Sequence, residues 1–298
     1  PELGPLTGRA TRDPQDDERL GLNGGGVYAA TTSVVIAQCT LDANSAGAAG
    51  GGLQGGSARK CVLADNWAYR GGGAARAGLT DCRLVGNTAQ SGGGAYECVL
   101  RRCEIRDNLA DCACDSPESY GGGLYASQAY DSILHHNLAL TAGGGAYVSD
   151  LWNCTLTDNV AGFGGGAEEC TLRNCILTGN RTDLEGGGTD SGTTYDCIFR
   201  GNRSAVAAAC SGGRHFNALM VDNVAADQGG AAYFAHLYNC TIVSNRSLKR
   251  AGGTYHCLHV NTIVYGNRAD GAPETDNWEV WPNSYWPGPT SFYNSCTF

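Results

Sequence analysis

Three kinds of residue in this sequence could do chemistry: cysteines, clustered carboxylates and a recurring tyrosine. There are fifteen cysteines. Most fall in one series, Cys39, Cys61, Cys82, Cys103, Cys154, Cys175, Cys197 and Cys240, with Ser132, Ala218 and Thr262 filling the same place. A disulfide wants Cβ atoms about 3.8 Å apart, whereas residues stacked in register carry parallel Cβ vectors, so this series reads as buried thiols. The disulfide candidates lie off the series: Cys112, Cys114, Cys98, Cys170 and Cys257. The series has no CxxC pair and no histidine at matching spacing, so no metal is expected. The histidines form no triad, and no nucleophile elbow is present. The carboxylates Asp183, Glu185, Asp190, Glu168 and Glu169 are close in sequence and could gather on adjacent turns. Polysaccharide lyases and hydrolases need such clusters, often with calcium, plus a group to move a proton. Carboxylates at turns are also commonly just solvated. Tyr28, Tyr96, Tyr125, Tyr147, Tyr233 and Tyr255 share one position, two past a glycine triplet, and are candidates for an outward aromatic strip that binds glycans or protein. Glu168 and Asp190 interrupt that column.

What positions these residues is a repeat. Asparagines recur at Asn44, Asn66, Asn87, Asn108, Asn137, Asn159, Asn180, Asn202, Asn223, Asn245 and Asn267. The steps are 21 or 22 residues except one of 29, where DCACDSPES is inserted. Three residues before each Asn stands an apolar residue: Leu41, Leu63, Leu84, Ile105, Leu134, Leu156, Leu177, Phe199, Met220, Ile242 and Val264. Glycine triplets at 24–26, 50–52, 71–73, 92–94, 121–123, 143–145, 164–166 and 186–188 keep the same phase. The C-x-L unit alternates with period two, as a strand does. A period this short, with no room for a helix, is a coil of short strands and turns wound once per repeat. Equivalent residues then stack roughly 4.8 Å apart. The apolar series is the core, the Asn series a ladder of amides at a turn, and the triplet marks a tight corner, through φ > 0 or close approach of neighbouring backbone.

The segments CTLTDN, CILTGN and CIFRGN, alternating with GGGAY, resemble the repeats of large bacterial surface β-helix proteins. They are similar to the GGA and FxxN repeats of polymorphic outer-membrane proteins, within the pectin-lyase-like superfold. The resemblance spans about residues 21–298 and implies a right-handed parallel β-helix, secretion, and adhesion or surface coating.

Composition narrows the function. Charged residues are 16% of the 298 and hydrophobics 42%, too apolar for disorder, and no run approaches a membrane span. A formal net charge of −9 disfavours nucleic acid or an anionic membrane as partner. Many cysteines and the absence of an initial Met suggest a mature secreted chain. Residues 1–20 lack the repeat and form an arm or cap; Pro1 and Leu6 are candidates for contacts with a neighbouring copy. Residues 21–269 are the repeats, with the insertion at 109–120. Residues 270–298 carry Trp278, Trp281 and Trp286, an aromatic cap or docking segment with a last partial coil at Cys296.

The expectation is therefore an all-β, right-handed parallel β-solenoid of about 11–12 coils, extracellular or at the cell surface, without cofactor. The leading functional expectation is a non-enzymatic structural or adhesive element, a subunit of a surface fibre whose partners are other copies of itself or cell-surface glycans and proteins. The alternatives are a carbohydrate-active enzyme, lyase or hydrolase, and a glycan-binding module.

Overall fold

The computed structural model describes residues 23–31, 33–111, 118–279, 292–293 and 295–297. Within them the chain is an all-β parallel β-solenoid of about eleven coils. It divides into two compact units, Pro1–Thr155 and Leu156–Phe298. Each coil carries four short strands, which build four parallel sheets. In the second unit one coil reads Ala167–Glu168, Thr171–Arg173, Ile176–Thr178 and Arg181–Thr182, the first to fourth sheets in order. In the first unit Ala95–Tyr96, Val99–Arg101, Glu104–Arg106 and Leu109–Ala110 do the same.

Register is set by the asparagines. In the first unit the backbone N–H and side-chain amide of Asn66 both donate to Asn87 Oδ1, at 3.0 and 2.9 Å, and Asn87 does the same to Asn108. In the second unit Asn180, Asn202, Asn223 and Asn245 continue this pattern from one coil to the next. Each amide also donates to a carbonyl one coil back, as Asn202 does to Leu177 O at 2.9 Å. The ladder does not stop at Asn267: Asn277 Oδ1 accepts from Asn267 at 3.1 Å, an ending the periodicity does not announce because Asn277 is only ten residues on. Asn180, Asn202 and Asn245, which fall in glycosylation sequons, are buried with their amides committed to the ladder.

The core is narrow and made in columns. Leu156, Leu177, Phe199, Met220, Ile242 and Val264 are fully buried in the second unit, as are Leu41, Leu63, Leu84, Ile105 and Leu134 in the first. The corners are left-handed. Glu169 (φ 50°) and Asn174 (φ 51°) turn the chain between strands, and Gly164 (φ 55°) opens the triplet. A Cβ on Gly166 would lie 2.5 Å from Gly188 O, so the triplet is there for backbone-to-backbone contact between coils.

The cysteine series is held by hydrogen bonds as well as by size. Cys82 Sγ donates to Thr80 O at 3.3 Å, and Ser132 Oγ makes the same bond to Tyr130 O at 2.7 Å. Ser132 and Thr262 keep this small buried donor, while Ala218 keeps only the small size. The off-series disulfide expectation is corrected for three residues. Cys98, Cys170 and Cys257 are buried thiols, each donating to the carbonyl two residues back, at 3.3, 3.1 and 3.4 Å. They form the equivalent column at another corner, where Ser127 and Ser149 also sit. Cys112 and Cys114 lie outside the described residues, as do Pro1, Leu6, Trp281 and Trp286. Trp278 is exposed on the strand Trp278–Glu279, which pairs with Thr254–Tyr255. Phe292–Tyr293 and Cys296–Thr297 add a last partial coil to the second and third sheets.

Asn202→Ala would strand the Asn180 donors and two acceptors in a dry column. The expected loss is about 2–4 kcal/mol, since each orphaned group costs about 1–3 kcal/mol. Urea unfolding should show it. Asn217→Gly, at an exposed left-handed corner (φ 54°), should stay within about 1 kcal/mol of the parent.

Candidate functional site

The first sheet places one outward residue per coil in a continuous column. In the second unit that column runs Glu168, Asp190, Ser211, Tyr233, Tyr255 and Glu279, fixed by the pairings of consecutive strands. A second column lies at the corner just after it: Glu169, Ser191, Gly212, Phe234 and His256, each N–H bonding to the carbonyl of the next coil. A third column lies at the corner before it, where Glu185 bridges to Val206 and Gln228 to Arg250.

These columns gather three carboxyl groups. Glu168 and Asp190 are register partners on adjacent strands, and Ser211 Oγ donates to Glu185 Oε2 at 2.9 Å. Ser191 Oγ donates to Asp190 Oδ1 at 3.2 Å. Glu168 is only 9% exposed, and its Oε2 is buried with no hydrogen-bond partner among the described residues. A Cβ on Gly164 would lie 2.7 Å from that oxygen, so the first glycine of the triplet leaves room for the carboxyl. Burial pushes the Glu168 pKa up to about 8, and the charges of Asp190, Glu169 and Glu185 push the same way. Asp190 is also raised, chiefly by burial and with a contribution from Glu185; its hydrogen bond from Ser191 opposes the shift. Burial, with Glu185 nearby, raises the Tyr233 hydroxyl as well. Two carboxyl groups on adjacent rungs are thus both raised by burial, Glu168 far enough to hold its proton at neutral pH, a shift typical of acid–base sites.

Of the carboxylates singled out in the sequence, Glu168, Asp190 and Glu185 come together. Glu169 sits at the corner beside them. Asp183 stands apart, exposed and paired with Arg181 at 3.1 Å. No ion pair among the described residues reaches Glu168, Asp190 or Glu185. Nor does any group of three or more His, Cys, Asp or Glu among them have the arrangement of a metal site.

The tyrosines share the column as expected, yet they lie largely against one another. Tyr96 stacks on Tyr125 with centroids 5.1 Å apart, Tyr125 lies 5.4 Å from Tyr147, and Tyr233 stacks on Tyr255 at 5.6 Å. Tyr28 is exposed, while Tyr255 is buried under its neighbours. Residues that sequence reading passed over complete the surface: Ser191, Ser211, Gly212, Phe234 and His256. Their signal was present as the same 21–22 step from Glu168, Glu169, Asp190 and Tyr233, but period alone does not mark which side chains meet.

No family model matches the sequence, and no curated protein is similar to it. Among solved structures, the chain is similar in winding to a mannuronic acid specific family 6 polysaccharide lyase from human gut microbiota. That match has 10% identity and a TM-score of 0.38, covering 89% of this chain and 79% of the lyase. It is also similar to the A-module of the Azotobacter vinelandii mannuronan C-5 epimerase, at 15% identity and a TM-score of 0.29, covering 91% and 88%. Both are right-handed parallel β-helices of the pectin-lyase-like kind. Both neighbours are named as polysaccharide-processing enzymes, whereas the expectation from the sequence was a non-enzymatic structural or adhesive element. The likeness is one of winding alone. No helix among the described residues is long and apolar enough to cross a membrane.

The raised Glu168 carboxyl carries a stability prediction. The folded chain keeps this proton up to about pH 8, whereas the unfolded chain loses it near 4.5. The resulting stabilisation is full below the lower value and lost as pH rises through the upper one. Glu168→Gln, which cannot ionise, should therefore change stability little in acid and raise it by a few kcal/mol above about pH 8. Thermal melts across pH check this; a pH-independent difference between the two proteins would contradict it.

Proposed function

We propose that the chain is a carbohydrate-active enzyme that cleaves glycosidic bonds on the Glu168–Asp190 face of the first sheet. The observation that carries this reading is the pairing of a buried carboxyl that keeps its proton at neutral pH with a second carboxyl one rung away. Glu168 is then the general acid that protonates the leaving oxygen. Asp190 attacks or stabilises the developing oxocarbenium ion, and Ser191 and Ser211 orient Asp190 and Glu185. Strands about 4.8 Å apart favour the short carboxyl separation of roughly 5–5.5 Å that goes with a covalent intermediate and retention at the anomeric carbon. Hydrolysis with retention needs only such a pair, one carboxyl as acid and the other as nucleophile. A polymeric glycan as substrate is consistent with action outside the cell.

Glu168→Gln and Asp190→Asn should each lower kcat by about 10²–10⁴-fold while leaving the fold intact by circular dichroism. Parent activity should fall on the alkaline side near about pH 8 as Glu168 loses its proton, and on the acid side as Asp190 gains one. Reducing-sugar release from a panel of polysaccharides, with proton NMR of the first product anomer, reads both. Full activity in both variants would exclude this site.

A further inference from the structure

The corner column beside the carboxyls has a gap in it. Glu169 and Ser191 occupy the first rungs, Phe234 and His256 the last two, and Gly212 stands between. Gly212 has φ +60°, and a Cβ placed there would meet Ser191 first, at 3.7–3.8 Å, without a clash. Phe234 is 38% exposed although it is a large apolar side chain. Its φ of 48° is that of the corner itself, shared by Glu169, Ser191 and His256. His256 stacks on one face of the Phe234 ring, with centroids 4.9 Å apart and planes 5° from parallel, and Tyr233 meets it edge-on at 4.5 Å. The stack is coil upon coil, so the opposite face of Phe234 looks onto the rung of Gly212, where no side chain stands. From Ser191 to Phe234 is two rungs, roughly 10 Å at the strand spacing. That leaves one rung for a flat guest lying against the phenyl ring.

We propose that this rung is a sugar subsite: one uncharged hexopyranose residue of the substrate stacks its C–H face on Phe234 over Gly212. Its hydroxyls then lie against Ser191 and Glu169 at the opposite wall and beside Asp190 in the neighbouring column. An aromatic platform facing hydroxyl and carboxyl acceptors is the arrangement that binds a pyranose, apolar on its faces and polar around its edge. The charge of the guest follows from the walls. Glu169, Asp190 and Glu185 lie on one side of the rung, and no ion pair among the described residues reaches them, so a uronate would face like charges.

The subsite rests on the function proposed above, and the test separates the two. Titration calorimetry on the Glu168→Gln protein would use cellohexaose, mannohexaose and hexagalacturonate. An uncharged hexasaccharide should bind and hexagalacturonate should bind more weakly or not at all. Adding Phe234→Ala should weaken the binding roughly tenfold or more. Gly212→Asn, which tolerates the left-handed corner but fills the rung, should do the same, with melting temperatures close to the parent. In the active protein Phe234→Ala should raise KM by a similar factor with kcat changed less than about threefold. Unchanged affinity in both variants, no binding by any of the three probes, or preference for hexagalacturonate would overturn the subsite. If Phe234→Ala weakens binding while Glu168→Gln cleaves as well as the parent, the subsite stands and the catalytic assignment falls.

Discussion

Each asparagine amide in the ladder accepts two hydrogen bonds from one coil and donates to two carbonyl-type oxygens, one on each side. That exchange fixes rotation as well as spacing: a coil that slipped by a residue would leave four buried polar groups without partners. The constraint turns a sequence period into a spatial column. The functional reading depends on it, because Glu168, Asp190 and Ser211 are 21–22 residues apart in the chain and are neighbours only through register.

The same register explains why the carboxyls have unusual acidity. A solenoid coil has little interior, and its outward columns are packed against the coils above and below. Glu168 therefore lies against the coil of Asp190, with its oxygen directed at the glycine corner. Desolvation follows from the stacking, and Asp190 one rung on adds like charge. An isolated turn with the same residues would leave them in water with ordinary acidity.

How much of this was legible in the sequence differs by residue. The Asn, Leu and Cys series defined the coils, because a period repeated eleven times needs no propensity argument. Glu168 and Asp190 could be seen breaking the tyrosine column, since they stand where Tyr147 and Tyr233 stand in phase. Their burial could not be seen, because outward positions of a solenoid are buried or exposed according to the side chains around them on their own and adjacent coils. Phe234 was hidden for a related reason: it sits at a left-handed corner, and sequence patterning offers no reason to look for an aromatic there. Cys98, Cys170 and Cys257 misled because they fall off the main cysteine series; the hydrogen bonds they share with Ser127 and Ser149 show a second corner of the same design. The ladder end at Asn277 was hidden by a change of step.

The central claim is that stacking desolvates Glu168 and holds its proton through neutral pH beside Asp190. The ¹³C shift of the Glu168 carboxyl carbon, assigned by comparison with Glu168→Gln and followed from acid to alkaline pH, tests it directly. A midpoint near about 8 is the predicted result. A midpoint near the ordinary 4.5 would contradict the account.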